Sequence, residues 1–153
     1  MHTNIEVPVK ASKRDIWKLI TDIEHAPSRI SGIEEVEVLE SPTDGLVGLK
    51  WRETRKFGGK TATETMWVTE AVEDSHFRTE AQSHGSVYRS RMYVSDDGDG
   101  TRLGVDFDCE PQTVGAKLMW TVFGFMFRGA TRKALLQDLN DIKAAAEASG
   151  PPE

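Results

Sequence analysis

The sequence predicts an α+β fold in which one long C-terminal helix covers an antiparallel sheet of about seven strands. Residues Val114–Ala148 form the only long run with helical periodicity. Upstream of them, apolar and polar residues alternate over several short segments, which is typical of strands with one buried face. Such a sheet must cover its apolar face, and only the C-terminal helix is long enough to do so.

The composition predicts one domain that spans residues 1–149, followed by a frayed tail at 150–153. Hydrophobic residues make up 38% of the chain and charged residues 29%, as in ordinary globular proteins. The net charge of −6 argues against nucleic acid or anionic lipid as the main partner. A single cysteine excludes an intrachain disulfide. We predict a cytoplasmic protein, because no signal peptide is recognisable and the longest apolar run is too short to span a bilayer.

The first part of the chain predicts one strand and then short helices. Residues 5–9 alternate apolar and polar side chains. Ser12 with Asp15 three residues later approximates a helix cap, and an apolar face follows it. Two short helices are expected: the first ends before Pro27, and the second is a turn around residues 26–30.

Six more strands are expected in hairpin succession. They cover residues 35–40, 47–57, 60–71, 75–83, 87–95 and 101–110. The glycine pair at 58–59 indicates a hairpin between the third and fourth strands. Alternation predicts that one face of the third strand carries Val47, Leu49, Trp51, Glu53 and Arg55.

The first half of the C-terminal helix is unusually apolar. Residues 118–127 present apolar side chains around most of the helix circumference, and Arg128, Arg132 and Lys133 follow. One face must contact the sheet. The excess on the other side is expected to contact the short helices, a second copy of the chain in a homodimer, or a membrane in a transient contact. These alternatives stay open at this point.

Three stretches carry a family resemblance: VPVKASKRDIW at 7–17, VGLKWRETR at 47–55 and GDGTRL at 98–103. They are similar, in turn, to the opening strand and helix start, the third strand, and the turn into the last strand of the START-like or SRPBCC helix-grip superfamily, in particular its polyketide cyclase/dehydrase-like branch. The resemblance implies a helix-grip fold, in which the curved sheet wraps around the long helix and leaves a cavity between them. It identifies function less sharply, because the fold serves carriers, enzymes and interaction modules.

Glu53, Arg55 and Glu64 form the first candidate group for such a cavity. Alternation directs them to the inner face, where a charge is costly unless it is paired. They are expected to orient a ligand, or to lie in water at the hairpin end if the register differs by one residue. The hydroxyls of Thr79, Tyr88 and Ser90 and several apolar residues share the inner face. The complete predicted ligand-binding set is Trp51, Glu53, Arg55, Glu64, Met66, Thr79, Tyr88, Ser90, Met92, Phe107, Phe123 and Phe127.

Three functions remain open from the sequence. The preferred one is binding or transport of a small hydrophobic molecule, such as a lipid, polyketide, isoprenoid or aromatic compound. The second is an enzyme similar to a polyketide cyclase or dehydratase, with Glu53, Glu64 or Tyr88 as acid and base. The third is a protein-interaction module. No cofactor and no metal site are expected, because phosphate-loop, dinucleotide and metal-ligand motifs are absent from the sequence.

Overall fold

The computed structural model describes residues 2–57, 59–83, 85–98 and 100–148. The predicted tail at 150–153 lies outside these residues, and so do Gly58 of the predicted glycine pair, His84 and Asp99. The elements in chain order are β1 (His2–Val9), α1 (Lys13–Thr21), a 3₁₀ helix (Ile23–Ser28), β2 (Ile33–Glu40), β3 (Lys50–Phe57), β4 (Lys60–Val72), β5 (His76–Ser83), β6 (Ser86–Asp97), β7 (Gly100–Pro111) and α2 (Val114–Ala148).

The seven strands form one antiparallel sheet in the order β1-β7-β6-β5-β4-β3-β2. The first strand pairs with the last, so the chain returns beside its own beginning, with Ile5 opposite Val105. The other pairs are sequential hairpins. The expected class of fold, with seven strands and one long C-terminal helix, is confirmed.

The two short helices also occur, with shifted bounds. Ser12 Oγ accepts a hydrogen bond from the Asp15 backbone N–H at 3.1 Å and caps α1. The first helix already ends at Thr21, before the bound that Pro27 predicted. Pro27 instead lies inside the 3₁₀ helix, where it is tolerated because few backbone donors of such a short element have intrahelical partners.

The core lies between β1, β7, α1 and the C-terminal half of α2. β1 alternates exposed and buried residues along its whole length, so one face is entirely committed to the core. Leu139 and Leu103 are completely buried, and Ile16 contributes the equivalent side chain from α1. The edge-to-face contact of Trp17 with Phe77, 6.0 Å between ring centroids, joins α1 to β5.

Polar contacts also tether the C-terminal half of α2. Lys143 Nζ donates to the Pro8 carbonyl at 2.6 Å, and Glu147 accepts from the Lys10 backbone N–H at 2.8 Å. Asp141 accepts from both the backbone N–H and the hydroxyl of Ser31. Apolar burial and these bonds together fix this half of the helix against β1 and the loop before β2.

One detail of the predicted third strand is wrong. Val47 precedes β3 and is half exposed instead of facing the core. Gly48 has a positive φ of 96°, which favours glycine, and its backbone N–H donates to the Val68 carbonyl. The chain therefore enters the sheet through a turn, and Leu49, which packs against the core, is the first residue of the predicted face that lies inward.

Among the described residues, no helix combines the length and apolar character that crossing a bilayer requires.

The packing of α2 predicts unequal effects of two leucine substitutions. Leu139→Ala should lower the free energy of unfolding by about 2–5 kcal/mol, because it removes a completely buried side chain. Leu136→Ala is the matched control on the same helix: Leu136 is 41% exposed, and about 1 kcal/mol or less is expected. Urea unfolding followed by circular dichroism measures both. Equal losses would contradict the assigned packing of α2.

Candidate ligand-binding cavity

A cavity of about 400 Å³ lies between the inner face of the sheet and the two helical layers. Its floor is formed by β3–β7, one side by α1 and the 3₁₀ helix, and the other by α2. The lining is mainly apolar, with Ile20, Met66, Phe77, Met92 and Phe107 among its side chains. This size and character are those of a small-molecule site.

A buried ionic cluster forms one wall of the cavity. Arg55 on β3 donates from Nε to Glu53 Oε2 at 3.1 Å. Its Nη1 lies 3.0 and 2.9 Å from the two carboxylate oxygens of Asp138 on α2. Trp51 Nε1 donates to the other oxygen of Glu53 at 3.3 Å. Charged groups in such a place are tolerated because they are paired and hydrogen-bonded.

Burial and the contacts within the cluster shift the pKa values of its members. Burial alone would lower the pKa of Arg55, but the carboxylates of Asp138 and Glu53 outweigh it and raise that pKa. Burial raises the pKa of Asp138 in spite of the neighbouring arginine. Gly32 makes room for this pair, since a Cβ there would lie 3.3 Å from Arg55 Nη1.

Tyr88 and Glu64 lie on a second part of the wall. Burial raises the pKa of Tyr88 to about 12, with smaller contributions from Cys109 and Glu64. The phenol is protonated at neutral pH and already shares hydrogen bonds with the side chains of Cys109 and Ser86. Glu64 is directly opposite Glu53 in the β3–β4 register. The Tyr88 ring packs on Phe107 with 6.0 Å between centroids.

Thr79 and Ser90 are opposite each other on β5 and β6 and share a hydrogen bond between their hydroxyls. This bond satisfies part of their capacity within the protein. Each hydroxyl still has a lone pair with which to meet a ligand group.

α2 contributes the remaining wall through Trp120, Phe127, Thr131, Ala134 and Leu135. The rings of Trp120 and Phe127 pack with 5.6 Å between their centroids. Gly124 gives the Trp120 ring room, since a Cβ there would lie 3.1 Å from it and the ring would have to shift by a few tenths of an ångström.

Phe123 is one predicted site residue that the structure places elsewhere. It does not border the cavity, and it is 46% exposed. The residues of α2 that border the cavity define one helical face, and Phe123 lies at the margin of that face. The remaining predicted site residues, from Trp51 to Phe127, all line the cavity. Their roles toward a ligand stay predictions.

Sequence reasoning missed Asp138 and Trp120. Asp138 lies four residues from both Ala134 and Ile142, so it is a lone acid within the apolar stripe of α2. That position is a usable signal of a buried charge in need of a cation. Only the tertiary structure shows that this cation is Arg55.

The opposite face of the sheet carries a larger but open depression of about 880 Å³. Its charged side chains pair with one another, as Arg78 does with Glu70 at 3.0 Å and Arg91 with Asp106 at 3.2 Å. It is less apolar and more open than the inner cavity, so the inner cavity is the candidate site. Among the described residues there is also no group of three side chains suited to hold a metal ion.

The N-terminal half of α2 exposes an apolar patch on the side away from the cavity. We define this patch as Val114, Leu118, Met119, Val122, Phe123, Phe125 and Met126. Val114 is 84% and Phe125 90% exposed, values that are unusual for large apolar side chains in a monomer.

A curved antiparallel sheet that encloses a cavity with a long C-terminal helix defines the helix-grip class of protein. The sequence profile of the family described as polyketide cyclase/dehydrase and lipid transport matches residues 2–147. The chain belongs to this family, within the SRPBCC helix-grip superfamily. No curated protein sequence matches it significantly.

Solved structures share the fold over almost the full chain. A START superfamily protein from Mycobacterium smegmatis superposes with a TM-score of 0.81 at 22% identity, covering 97% of this chain and 98% of the other. A protein from Thermus thermophilus gives 0.82 at 14% identity, covering 98% and 99%. The Zhui aromatase/cyclase from Streptomyces gives 0.75 at 16% identity, covering 99% of both chains. At these identities the likeness establishes the fold alone.

The chain has two tyrosines, and Tyr88 is the one that lines the cavity. Their titration tests whether Tyr88 is buried there. Burial raises the pKa of Tyr93 to about 12 as well, with a further contribution from Glu6. Absorbance at 295 nm should therefore show almost no tyrosinate near pH 10 in the folded protein. Tyr93→Phe should leave one titration near pH 12, that of Tyr88. A midpoint near pH 10 in this variant would contradict the buried site.

The same shifts set the direction of a stability change. Both pKa values are raised in the folded state, so their contribution to stability is complete below about pH 10. It is lost as the pH rises from there through about 12. Thermal unfolding measured between these pH values should show a falling midpoint.

Proposed function

We propose that this protein binds a small hydrophobic molecule in the cavity between the sheet and α2. The observation that carries the proposal is the apolar cavity of about 400 Å³ with a polar cluster at one wall. Burial of apolar ligand surface would supply the affinity, at about 25 cal/mol per Å². Arg55 and its two carboxylates would orient the polar end of the ligand.

A cyclase or dehydratase activity has less support from the geometry. Glu53 uses both carboxylate oxygens, one on Trp51 and the other on Arg55. The raised pKa of Tyr88 makes its phenol a poor base at neutral pH. Two of the three predicted acid/base residues, Glu53 and Tyr88, are therefore poorly suited to accept a proton, which favours binding over catalysis.

Filling the cavity tests the proposal. Ala134 borders the cavity, whereas Ala130 on the same helix is exposed and does not. Ala134→Phe should weaken binding of the neutral dye N-phenylnaphthylamine at least about tenfold, because the new ring occupies ligand volume. Ala130→Phe should leave the affinity unchanged. Fluorescence titration measures both.

Equal affinity of the two variants would mean that the dye binds outside the cavity, and the proposal would then fail. Native mass spectrometry of protein purified without added ligand gives a second readout. A co-purified apolar molecule released by Ala134→Phe supports the proposal.

We also propose that the exposed patch of α2 contacts an anionic lipid surface. Residues 112–137 contain four basic side chains (Lys117, Arg128, Arg132 and Lys133) and no acidic one, although the whole chain has a net charge of −6. Exposed apolar residues combined with basic residues suit the boundary of an anionic bilayer. Pairing two copies through the same patch would bring like charges together, which disfavours a second copy as the occupant.

Vesicle sedimentation tests this contact. The protein should bind vesicles of phosphatidylcholine with phosphatidylserine, and bind less at high salt or without the anionic lipid. Phe125→Asp should reduce binding at least about fivefold, because it places an acid at the centre of the patch. Val72→Asp, a change at a half-exposed apolar residue of β4, is the control.

No binding to the anionic vesicles would refute the lipid contact. A dimer that Phe125→Asp dissociates, seen by analytical ultracentrifugation, would identify a second copy as the occupant instead.

A further inference from the structure

At the polar wall of the cavity, two carboxylates share one cation. Arg55 is shared by Glu53 and Asp138, at 3.1 and 2.9 Å, so one positive charge faces two negative ones. The excess of negative charge is located where a ligand would place its polar end.

The other cations of the lining are also committed to carboxylates. Within the described residues, Arg29 and Arg89 are the cationic side chains that border the cavity besides Arg55. Arg29 Nη2 lies 2.7 Å from Asp22 Oδ2. Arg89 pairs with Glu110 at 3.0 Å and with Glu80 at 3.5 Å. A ligand anion would therefore find no arginine without a carboxylate partner in this part of the chain.

We infer that the cavity takes an amphiphile whose polar group is a neutral hydrogen-bond donor, such as a hydroxyl, and discriminates against the carboxylate of the same hydrocarbon. This inference rests on the proposed function of the cavity. It adds the charge of the ligand, which neither the fold nor the apolar lining specifies.

The hydrogen-bonding capacity of the cluster supports a donor. A carboxylate has about four lone-pair sites, and Asp138 receives only the Arg55 N–H group in the bonds described above. A ligand hydroxyl can donate to such an oxygen. A ligand carboxylate can only accept, and it would place a third negative charge close to Glu53 and Asp138. Like charges disfavour each other more strongly away from water.

Calorimetric titration with decanol and decanoate tests the inference, because the two ligands share one hydrocarbon and differ in polar group. At neutral pH and below micelle-forming concentrations, decanol should bind at least about tenfold more tightly. Equal affinities, or tighter binding of decanoate, would overturn the inference and leave the proposed function intact. If neither ligand binds, the proposed function fails and the inference fails with it.

Two neutralising variants identify the groups responsible. Asp138→Asn and Glu53→Gln each remove one negative charge with little change in volume, which leaves Arg55 with one carboxylate. Each should reduce the preference for decanol over decanoate at least about fivefold, chiefly by strengthening decanoate binding. Glu37→Gln, which changes an exposed residue paired with Arg52, should leave the preference unchanged.

Circular dichroism establishes that each variant is folded before its titration is interpreted. Using two positions on different elements keeps the test decisive if one substitution prevents folding. An unchanged preference in a folded variant of either position would overturn the inference.

Discussion

The packing of the C-terminal half of α2 against β1 and β7 is the constraint on which the rest of the structure depends. Leu139, Ile142 and Ala146 are buried there, and Lys143 and Glu147 bond the backbone around Pro8 and Lys10. A helix of this length is about 50 Å long at 1.5 Å per residue. Fixing one end therefore directs the other across the remaining strands. The helix packs closely on β1 and β7, whereas the space between it and strands β3–β6 stays open as the cavity.

The same helix links two environments. Its inner face contributes Trp120 and Phe127 to the cavity wall, while its outer face exposes Phe125 and its neighbours. No polar stripe separates the two along the first half, so this segment is apolar in both directions. This arrangement is costly for a helix in water. A function for the outer face, such as the proposed contact with lipid, would explain why the cost is tolerated.

The ionic cluster is the other unusual feature, since burying three charged groups in an apolar wall weakens stability unless each is paired. Arg55 meets this condition by bonding Glu53 on its own strand and Asp138 on α2. The cluster consequently joins the sheet to the helix at the cavity. It restricts the polar end of a ligand more sharply than the surrounding apolar residues do, because apolar contacts are not directional.

The sequence by itself determined the element order, the seven strands and the inward face of the strands that line the cavity. These follow from period-two alternation and from the single long helical run, which are local properties of the chain. It did not determine the start of β3 at Lys50, because the turn around Gly48 depends on a backbone bond to the distant Val68. Only the tertiary structure brought Asp138 to Arg55, 83 residues away. It also placed Phe123 outside the cavity, since packing elsewhere in the chain sets the rotation of a helix that is apolar on all sides.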